Sequence, residues 1–518
     1  MIDVAKALRE NEILLTGANG FLGKIILGLL LDRYPDSKHV HLLIRPRRER
    51  GADQRFETDI LQSPAMKPLV DERGADWIRE KVTVWPGDAA EIDASGPQAN
   101  EWRGRVSLIL NCAGLVEFFP PVDESLRANV DSIERLIGLA NAIEARLLHI
   151  STCYVAGRAD GLIEESEPIP GFYPRRTGPE DNSFDAAAEL QSCRDRIAEI
   201  ASRDHGAQRS RQTAQALIEL GRQRAERWGW VNTYTYGKSL GEQILVREAA
   251  RRGFEYAIVR PAIVESSLQF PFPGWIEGGR TAAPLVLMAL GGLKDWPMRP
   301  DIALEVVPVD QVAAATIAVA ALLLERKPAR AGEHAAGQPP VYQLATADQN
   351  PFELEDLVTL LDEEAARQSS NGGTRPPLWL DPLRRLRFLS AAQVRDRRQK
   401  LQQRLEAART VAEKLASSGL PGSSAAARWS AALRTLGLQA SFREQTLDQY
   451  LPFILENRYV FETHNIRQAY AQLSAADQEK LPWSPEKIDW QRYWVENQIG
   501  GIQKWVQPEA VRDWKFKL

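Results

Sequence analysis

The chain has 518 residues, of which 26% are charged and 44% are hydrophobic, and its formal net charge is −4. This length exceeds one ordinary domain and predicts two or three, and the composition is typical of folded globular proteins rather than of disordered or nucleic-acid-binding chains. The first twelve residues lack the apolar core of a signal peptide, and no apolar run reaches the roughly 18 residues that span a bilayer, so we expect a cytoplasmic protein. Three cysteines without metal-type spacing indicate neither a disulfide framework nor a zinc site: Cys112, Cys153 and Cys193.

The first strong pattern combines a strand, a glycine-rich turn and a helix. Apolar residues from Ile13 predict a buried strand, and three glycines at three-residue spacing follow it before an apolar helical run. In dinucleotide-binding folds the first glycine allows a tight turn, the second lets the backbone approach a pyrophosphate, and the third lets the helix pack closely on the strand. A dinucleotide site is the favoured interpretation, with an ordinary tight turn as the alternative. The glycines are Gly17, Gly20 and Gly23.

The end of the second predicted strand, 41–44, indicates which dinucleotide is bound. NAD sites usually place an acidic residue there for the ribose hydroxyls, whereas this chain has Arg45. A cation suits the 2′-phosphate of NADP through charge-assisted hydrogen bonds. A solvated basic loop would explain Arg47 and Arg48, but it explains Arg45 less well because that residue directly follows the strand. The sequence therefore predicts NADPH rather than NADH.

Alternating strands and helices continue to about residue 150. We expect strands at 81–85, 106–110 and 147–150 and a helix over 126–142. This alternation predicts a parallel sheet with helices on both faces, whose ligands lie at the carboxyl ends of the strands. The fold class is therefore α/β, a Rossmann-type doubly wound sheet.

Residues 158–229 interrupt the alternation. They are first polar and rich in proline, then strongly helical from about Ala186 to Arg227. This helical insertion is either a lid or substrate wall, or a helical pair on the surface. Strands are expected again at 257–261 and 304–309, separated by an aromatic, proline-broken loop at 269–276.

A tyrosine and a lysine at helical spacing are the candidate catalytic groups. Tyr234 and Lys238 are four residues apart, so both side chains lie on one face of a helix. The lysine is expected to lower the pKa of the phenol from about 10, and such a tyrosine can donate a proton to a carbonyl oxygen as hydride reaches its carbon. A third hydroxyl is expected at a strand end, where Ser151 and Thr152 both remain open. Cys153 has no activating base beside it and is interpreted as a packing residue.

Beyond about residue 370 the chain is predicted to be mostly helical. Residues 384–414 carry ten Lys or Arg and three Asp or Glu, and Leu401, Ala408 and Leu415 repeat every seven residues. This pattern predicts one amphipathic helix with a basic outer face. The basic face is either a solvated surface over the main domain, or a contact for anionic lipid headgroups or an acidic carrier protein.

Several segments together resemble a known superfamily. Residues 16–23, 42–46, 151–155 and 234–238 look like the motifs of extended short-chain dehydrogenase/reductases. Within that superfamily, residues 260–266 with 273–276 resemble the signature of fatty acyl-CoA reductases, the male sterility type of thioester reductase. The tail at 488–493 and 500–502 resembles their C-terminal sterile domain. The resemblance implies an NADP-binding domain over 1–370 and a helical C-terminal domain over 371–518.

The resemblance also implies a reaction and the residues that carry it. The expected activity is NADPH-dependent reduction of long-chain fatty acyl-CoA to a primary alcohol through an aldehyde, with Thr152, Tyr234 and Lys238 as catalytic residues. Alternatives are a reductase that stops at the aldehyde or acts on acyl carrier protein thioesters, an extended-type epimerase or dehydrogenase, and a scaffold that binds NADPH without chemistry. Peripheral membrane contact is a further expectation, and neither a metal nor nucleic acid is expected. The implied cofactor contacts are Gly17, Asn19, Gly20, Phe21, Leu22, Gly23, Arg45, Arg55, Asp88, Ala113, Gly114, Leu115, Pro261 and Ile263.

Overall fold

The computed structural model describes residues 2–47, 49–178, 180–204, 209–279, 281–326, 341–370, 385–417 and 423–508. The strands in chain order are β1 Glu12–Thr16, β2 His39–Ile44, β3 Val82–Pro86, β4 Val106–Asn111, β5 Arg146–Ile150, β6 Asp160–Ile163, β7 Tyr256–Pro261, β8 Ile263–Glu265, β9 Asp295–Trp296, β10 Val306–Pro308, β11 Val341–Leu344, β12 Arg387–Phe388 and β13 Arg458–Phe461.

The helices lie between and beyond these strands. They are α1 Val4–Glu10, α2 Phe21–Arg33, α3 Ala52–Arg55, α4 Lys67–Arg73, α5 Ala75–Lys81, α6 Pro97–Trp102, α7 Val122–Leu126, α8 Ser132–Ile143, α9 Ala186–Ala201, α10 Arg211–Trp228, α11 Thr233–Arg252, α12 Ala283–Leu290, α13 Val309–Glu325, α14 Leu354–Ser370, α15 Ala391–Ser417, α16 Ser423–Leu451, α17 His464–Ala471, α18 Ala475–Lys480 and α19 Trp490–Arg492. π-helical turns lie at Phe56–Leu61, Arg127–Asp131, Pro452–Glu456, Tyr493–Ile499 and Ile502–Val506, and 3-10 turns at Cys153–Ala156 and Pro485–Lys487.

The chain forms two compact units, and their limits differ from the expected boundary at residue 370. The first unit is Met1–Glu277, Glu305–Pro351 and Tyr459–Gln498, and the second is Gly278–Leu304, Phe352–Arg458 and Ile499–Leu518. Residues 459–498 belong to the first unit because β13 pairs with β6, a strand at the start of the expected insertion. Pairing between segments about 300 residues apart in the chain leaves no local pattern, so only the tertiary structure reveals it.

The first unit is built on a parallel sheet, as expected. Among the described residues it has seven strands in the order β11-β7-β5-β4-β1-β2-β3, and each neighbouring pair is parallel. The strand order reverses at β1, which lies between β2 and β4. In doubly wound sheets the ligand crevice opens at such a switch point, at the carboxyl ends of the strands.

Helices cover both faces of this sheet, which explains why the strands are apolar throughout. All five residues of β1 are buried, as a parallel strand covered on both sides requires. Helices α2 and α13 pack together on one face. Helices α8 and α11 share a core with Leu14, Ile109 and Leu147 on the other face. The Rossmann-type interpretation is confirmed.

The first unit differs from the expected elements in two strands and one helix. The segment expected at 304–309 forms β10, which pairs with β8 instead of joining the main sheet. The main sheet gains β11, which the sequence analysis did not single out. The helix expected over 126–142 is interrupted by a π-helical turn at Arg127–Asp131, and α8 follows it.

The helical insertion contains α9 and α10, which pack against each other and against α11. Aromatic side chains fill the space between them and the preceding loop. Trp228 and Trp230 contact the ring of Phe184 with centroids 4.8 and 5.4 Å apart. The insertion therefore packs against helix α11, which carries both candidate catalytic residues.

In the second unit, α12 packs against α14, and α15 packs against α16. The expected basic helix is present as α15, although it begins at Ala391. Ala412 is fully buried, whereas Leu415 is 48% exposed. The seven-residue repeat that includes Leu415 therefore does not identify the buried residues in the last turns of α15. Among the described residues, no helix combines the length and the apolarity needed to cross a bilayer.

Candidate active site

The glycine turn after β1 has the sterics expected of its first and third glycines. Gly17 has a φ of +75°, and a Cβ there would lie 2.6 Å from the Ala113 nitrogen. A Cβ on Gly23 would lie 2.2 Å from the Gly17 carbonyl oxygen. The first turn of α2 is therefore pressed against the loop before it, and neither position has space for a side chain.

The residues at this turn fit a dinucleotide pyrophosphate. Gly20 precedes the 13-residue helix α2 and offers no side-chain cap to its first N–H groups. The side-chain nitrogen Nδ2 of Asn19 is buried and has no hydrogen-bond partner among the described residues. Free N–H donors at a helix N-terminus and an orphaned amide favour an anionic group at this point. Phe21 and Leu22 begin the helix beside it.

The expected 2′-phosphate residues come together after β2. The Arg45 side chain is 62% exposed and lies 3.3 Å from Asp88 Oδ2. Arg127 contacts the same carboxylate oxygen at 3.0 Å. Arg55 donates to the Arg45 carbonyl at 2.6 Å and pairs with Asp59 at 2.9 Å. Two guanidinium groups therefore converge on Asp88, and most of the Arg45 side chain remains open to a ligand.

The candidate catalytic residues converge from β5 and α11. Asn232 caps α11 by accepting a hydrogen bond from the Thr235 nitrogen at 2.8 Å, which starts the helix directly before Tyr234. The hydroxyl of Thr152 interacts with that of Tyr234 and acts to lower the pKa of the phenol, although burial has the larger and opposite effect. The Ser151 hydroxyl is buried without a partner among the described residues. Of the two hydroxyls that the sequence left open, Thr152 is the one brought to the tyrosine.

The ionisation of these groups differs from the expectation. Burial raises the pKa of Tyr234 above its ordinary value, so the predicted lowering by Lys238 is wrong. The Lys238 ammonium donates instead to the Ile150 carbonyl at 2.9 Å, and burial lowers its pKa to about 8. The phenol therefore keeps its proton at neutral pH, as a proton donor must.

The loop after β4 lies against Lys238 and is held by a residue that the sequence analysis missed. A Cβ on Gly114 would lie 3.0 Å from Lys238 Nζ and 3.1 Å from Asn129 Oδ1. Asn129 accepts from the Leu115 nitrogen at 3.4 Å and donates to the Leu115 oxygen at 3.3 Å. A polar residue inside an apolar helical run was the one signal that could have identified Asn129.

The aromatic loop expected at 269–276 is anchored to the same end of the sheet. Buried Asp310 accepts hydrogen bonds from the backbone nitrogens of Leu268, Gln269 and Phe270 at 2.7–2.9 Å. The ring of Trp275 lies 5.0 Å from that of Phe21. The signature at 273–276 therefore packs directly on the first residue of α2.

The two motifs that resemble one family are adjacent in space. Tyr493 donates to the Ser266 oxygen at 2.8 Å, and Asn497 Nδ2 donates to the oxygens of Ser267 and Leu268 at 3.0 Å. The tail thus holds the strand that begins at Ile263. Pro261, the last residue of β7, accepts from the Thr152 hydroxyl at 3.4 Å, so this strand end adjoins the candidate catalytic hydroxyls.

Cys153 has the properties of a packing residue. Its Sγ donates to the Arg260 oxygen at 2.8 Å, and burial raises the pKa of the thiol well above its ordinary value. A protonated buried thiol is a poor nucleophile. Among the described residues, no three His, Cys, Asp or Glu side chains are arranged to hold a metal ion.

Comparisons with known proteins agree on one family. Residues 15–316 match the sequence profile described as male sterility protein. The chain is 30% identical over 362 residues to "Probable fatty acyl-CoA reductase 4" of Arabidopsis thaliana, an alignment that covers 68% of this chain and 69% of that protein. It is 28% identical over 367 residues to the "Alcohol-forming fatty acyl-CoA reductase" of Simmondsia chinensis, covering 69% and 71%.

Solved structures support the same fold. The reductase domain of a nonribosomal peptide synthetase from Mycobacterium tuberculosis has a TM-score of 0.51 at 17% identity and covers 97% of this chain and 96% of that one. The terminal R domain from the myxalamid biosynthetic pathway has a TM-score of 0.50 at 17% identity and covers 94% and 92%.

Proposed function

Since this chain belongs to the male sterility family, whose curated relatives are fatty acyl-CoA reductases, we propose that it reduces long-chain acyl-CoA thioesters with NADPH to primary alcohols through an aldehyde. The observation that carries the proposal is the convergence of two hydroxyls, that of Thr152 directly after β5 and that of Tyr234 on α11. The pair adjoins the Pro261 strand end, and Lys238 stands one helical turn from Tyr234.

The side chains of this site suit the reduction of a carbonyl group. One NADPH, when bound, would supply the hydride for the thioester, and a second NADPH would supply the hydride for the aldehyde. Thr152 and Tyr234 donate hydrogen bonds to the thioester oxygen as negative charge develops on it. The resulting hemithioacetal collapses, releasing the thiol and leaving an aldehyde, and Tyr234 donates its proton when the aldehyde is reduced in turn. The raised pKa of Tyr234 supports this role because the phenol remains protonated at neutral pH.

The choice of NADPH rests on the cationic end of β2. An exposed guanidinium at Arg45, with Arg55 bonded to its carbonyl oxygen, offers charge-assisted hydrogen bonds to a 2′-phosphate. Arg45 and Arg127 both form ion pairs with Asp88, so their positive charges already balance the negative charge that could repel the phosphate. A nicotinamide cofactor follows from the family, and the phosphorylated form is the proposal.

The test is a product analysis with a matched pair of variants. The purified chain, excess NADPH and acyl-CoAs of increasing chain length should yield alcohol by gas chromatography, with aldehyde as a transient. Tyr234→Phe should lose at least 100-fold in kcat, a range typical of a missing proton donor. Tyr236→Phe is the control: it removes a buried hydroxyl from the same helix, where that group donates to Glu189 at 2.8 Å, and should keep kcat.

Other outcomes would favour the alternatives. Aldehyde as the final product indicates a two-electron reductase, and turnover of acyl carrier protein thioesters but not of acyl-CoA indicates a carrier-bound substrate. Undiminished turnover by Tyr234→Phe would overturn the assigned proton donor. Activity with a nucleotide sugar but not with an acyl thioester would favour an extended-type epimerase or dehydrogenase.

The α15–α16 hairpin supports a peripheral contact with an anionic lipid surface. Val411, Leu415 and Trp429 are 53, 48 and 52% exposed. Val411 lies six residues before the last residue of α15, and Trp429 lies six residues after the first residue of α16. Arg404 and Lys414 have no acidic partner among the described residues, whereas Arg397, Arg398, Lys400 and Arg409 of α15 each have one. Exposed apolar side chains, together with cations that have no acidic partner in the described part of the chain, suit the boundary between headgroups and acyl chains.

Vesicle co-sedimentation tests this contact. The chain should bind vesicles that contain phosphatidylglycerol more strongly than pure phosphatidylcholine vesicles, and binding should fall with added salt. Trp429→Ser with Leu415→Ser should reduce binding at least fivefold. Leu162→Ser is the control because Leu162 is 59% exposed but lies in β6. Binding that does not distinguish these variants would refute the assignment.

A further inference from the structure

Three neighbouring strands of the main sheet end in polar side chains that hydrogen-bond in a row. Thr16 ends β1, Asn111 ends β4, and His149 is the next-to-last residue of β5. Thr16 Oγ1 donates to Asn111 Oδ1 at 2.6 Å, and Asn111 Nδ2 lies 3.2 Å from His149 Nδ1. All three residues are at most 1% exposed. We refer to Thr16, Asn111 and His149 as the strand-end bridge.

Each member of the bridge precedes a different part of the proposed site. Thr16 leads into Gly17 and also accepts from the Ala113 nitrogen at 3.2 Å. Asn111 leads into the loop that touches Lys238. His149 precedes Ile150, whose carbonyl receives the Lys238 ammonium at 2.9 Å. The bridge therefore connects the glycine turn, the loop after β4 and the anchor of the lysine.

The hydrogen bonds of the bridge determine the tautomer of His149. Thr16 donates to the amide oxygen of Asn111, so the amide nitrogen is the group directed at His149, and His149 Nδ1 must accept. Burial and the nearby Lys238 charge hold the pKa of His149 well below its ordinary value, so the ring is neutral. Its hydrogen is then on Nε2, which has no hydrogen-bond partner among the described residues.

The tautomer of His149 bears on Lys238 because the ammonium is anchored on the carbonyl of the next residue of β5. The Lys238 ammonium needs acceptors, and an Nε2 atom that already carries hydrogen cannot serve as one. The opposite tautomer would offer a buried acceptor that competes with the Ile150 carbonyl. The positive charge of Lys238 acts on the imidazole and, together with burial, lowers its pKa.

We propose that His149 is a positioning residue of the reduction site. Held by Asn111 with its hydrogen on Nε2, it offers Lys238 no competing acceptor and so keeps the ammonium on the Ile150 carbonyl, beside the loop after β4. This inference rests on the proposed reductase function for its kinetic consequence. Its structural content, the tautomer and the lysine anchor, does not depend on which substrate is reduced.

Two near-isosteric variants separate this role from simple packing. In Asn111→Asp the new carboxylate faces Nδ1, draws the imidazole hydrogen there, and frees Nε2 to accept. We expect kcat to fall at least tenfold, while the dissociation constant of NADPH changes less than threefold. In His149→Gln the amide can accept from Asn111 and still present a donor in place of Nε2–H, so at least a third of kcat should remain. Tyr236→Phe is the control for loss of a buried hydrogen bond on α11.

The tautomer is read directly from histidine ¹⁵N chemical shifts. The chain has six histidines, and the His149 signal is the one absent from His149→Gln. We expect a neutral Nε2–H ring in the wild type at pH 7, with and without NADPH, and a changed ring in Asn111→Asp. A wild-type signal from a charged ring or an Nδ1–H ring would overturn the inference, as would equal kcat in the wild type and Asn111→Asp. If the wild type reduces no acyl thioester, the proposed function fails, while the chemical shifts still decide the tautomer.

Discussion

Two glycines of α2 provide a matched test of the close packing beneath the proposed pyrophosphate. Gly23 and Gly28 lie in the same helix, and replacing either by alanine favours the helix by about 1 kcal/mol. The surroundings of the added Cβ differ. At Gly23 it would lie 2.2 Å from the Gly17 oxygen and 3.0 Å from the Ala18 Cα, and at Gly28 its nearest neighbour is the Met66 sulfur at 3.2 Å.

The cost at Gly23 follows from what must move. An ordinary contact for a Cβ begins near 3.4 Å, so helix and turn must separate by about 1 Å, and overpacking of this kind costs about 1–3 kcal/mol. The turn cannot retreat because a Cβ on Gly17 itself would already be 2.6 Å from the Ala113 nitrogen. At Gly28 the flexible Met66 side chain can shift by a few tenths of an ångström. Gly23→Ala should therefore lose stability, and Gly28→Ala should remain within about 1 kcal/mol of the wild type.

Binding of the nucleotide is the more discriminating measurement. Separation of α2 from the turn displaces the N–H groups proposed to face the pyrophosphate, so Gly23→Ala should raise the dissociation constant of NADPH at least tenfold in a fluorescence titration. Gly28→Ala should leave it within twofold, and thermal melts of both variants report the stability difference. Equal NADPH affinity in the two variants would refute the reasoning, because the short contact at Gly23 would then have no bearing on the ligand.

Three further predictions follow from charges and ionisation. Arg45→Glu should shift the ratio of KM for NADPH to KM for NADH at least tenfold towards NADH. Arg47→Glu, a change in an exposed arginine of the same loop, should alter this ratio little. An unchanged ratio in Arg45→Glu would refute the assignment of Arg45 to the 2′-phosphate. With its pKa lowered to about 8, Lys238 should lose its charge early, so kcat/KM should fall about tenfold per pH unit above pH 8; a flat profile to pH 9.5 would contradict this role. Burial raises the pKa of Glu165 and Glu305 to about 7, so the folded state binds more protons than the unfolded chain between about pH 4.5 and pH 7, and their contribution to stability declines as pH rises through that interval. Thermal melts across pH 5–8 should show this decline, and it should be weaker in a Glu165→Gln, Glu305→Gln variant.

Local pattern was sufficient for the architecture of the first unit. Short apolar strands alternating with helices predicted a parallel sheet, and six of its seven strands were placed within a few residues of their observed limits. The glycine spacing also predicted the turn, because the need for a positive φ at Gly17 and for close approach at Gly23 is a property of the residues themselves. The same applies to Tyr234 and Lys238, whose spacing by one helical turn is set by the helix alone.

Local sequence pattern could not predict the ionisation of the site. Proximity in sequence predicted that Lys238 would lower the pKa of Tyr234, but burial of the phenol has the larger effect, and the ammonium is turned to the Ile150 carbonyl. Desolvation depends on everything that surrounds a group, so it cannot be derived from one neighbour four residues away. The choice of Thr152 over Ser151 likewise needed the position of α11 relative to β5.

By itself, the sequence determined the α/β sheet, the glycine turn, the cation after β2 and the tyrosine and lysine on one helix, since each depends on residues within a few turns of one another. Only the tertiary structure decided that residues 459–498 belong with the sheet, that Asn129 holds the loop after β4, and that Thr16, Asn111 and His149 hydrogen-bond across three strand ends. The physical reason is that these contacts join segments that no single helix or strand pattern connects. Their free energy depends on burial and on hydrogen-bond geometry that exist only once the sheet has assembled.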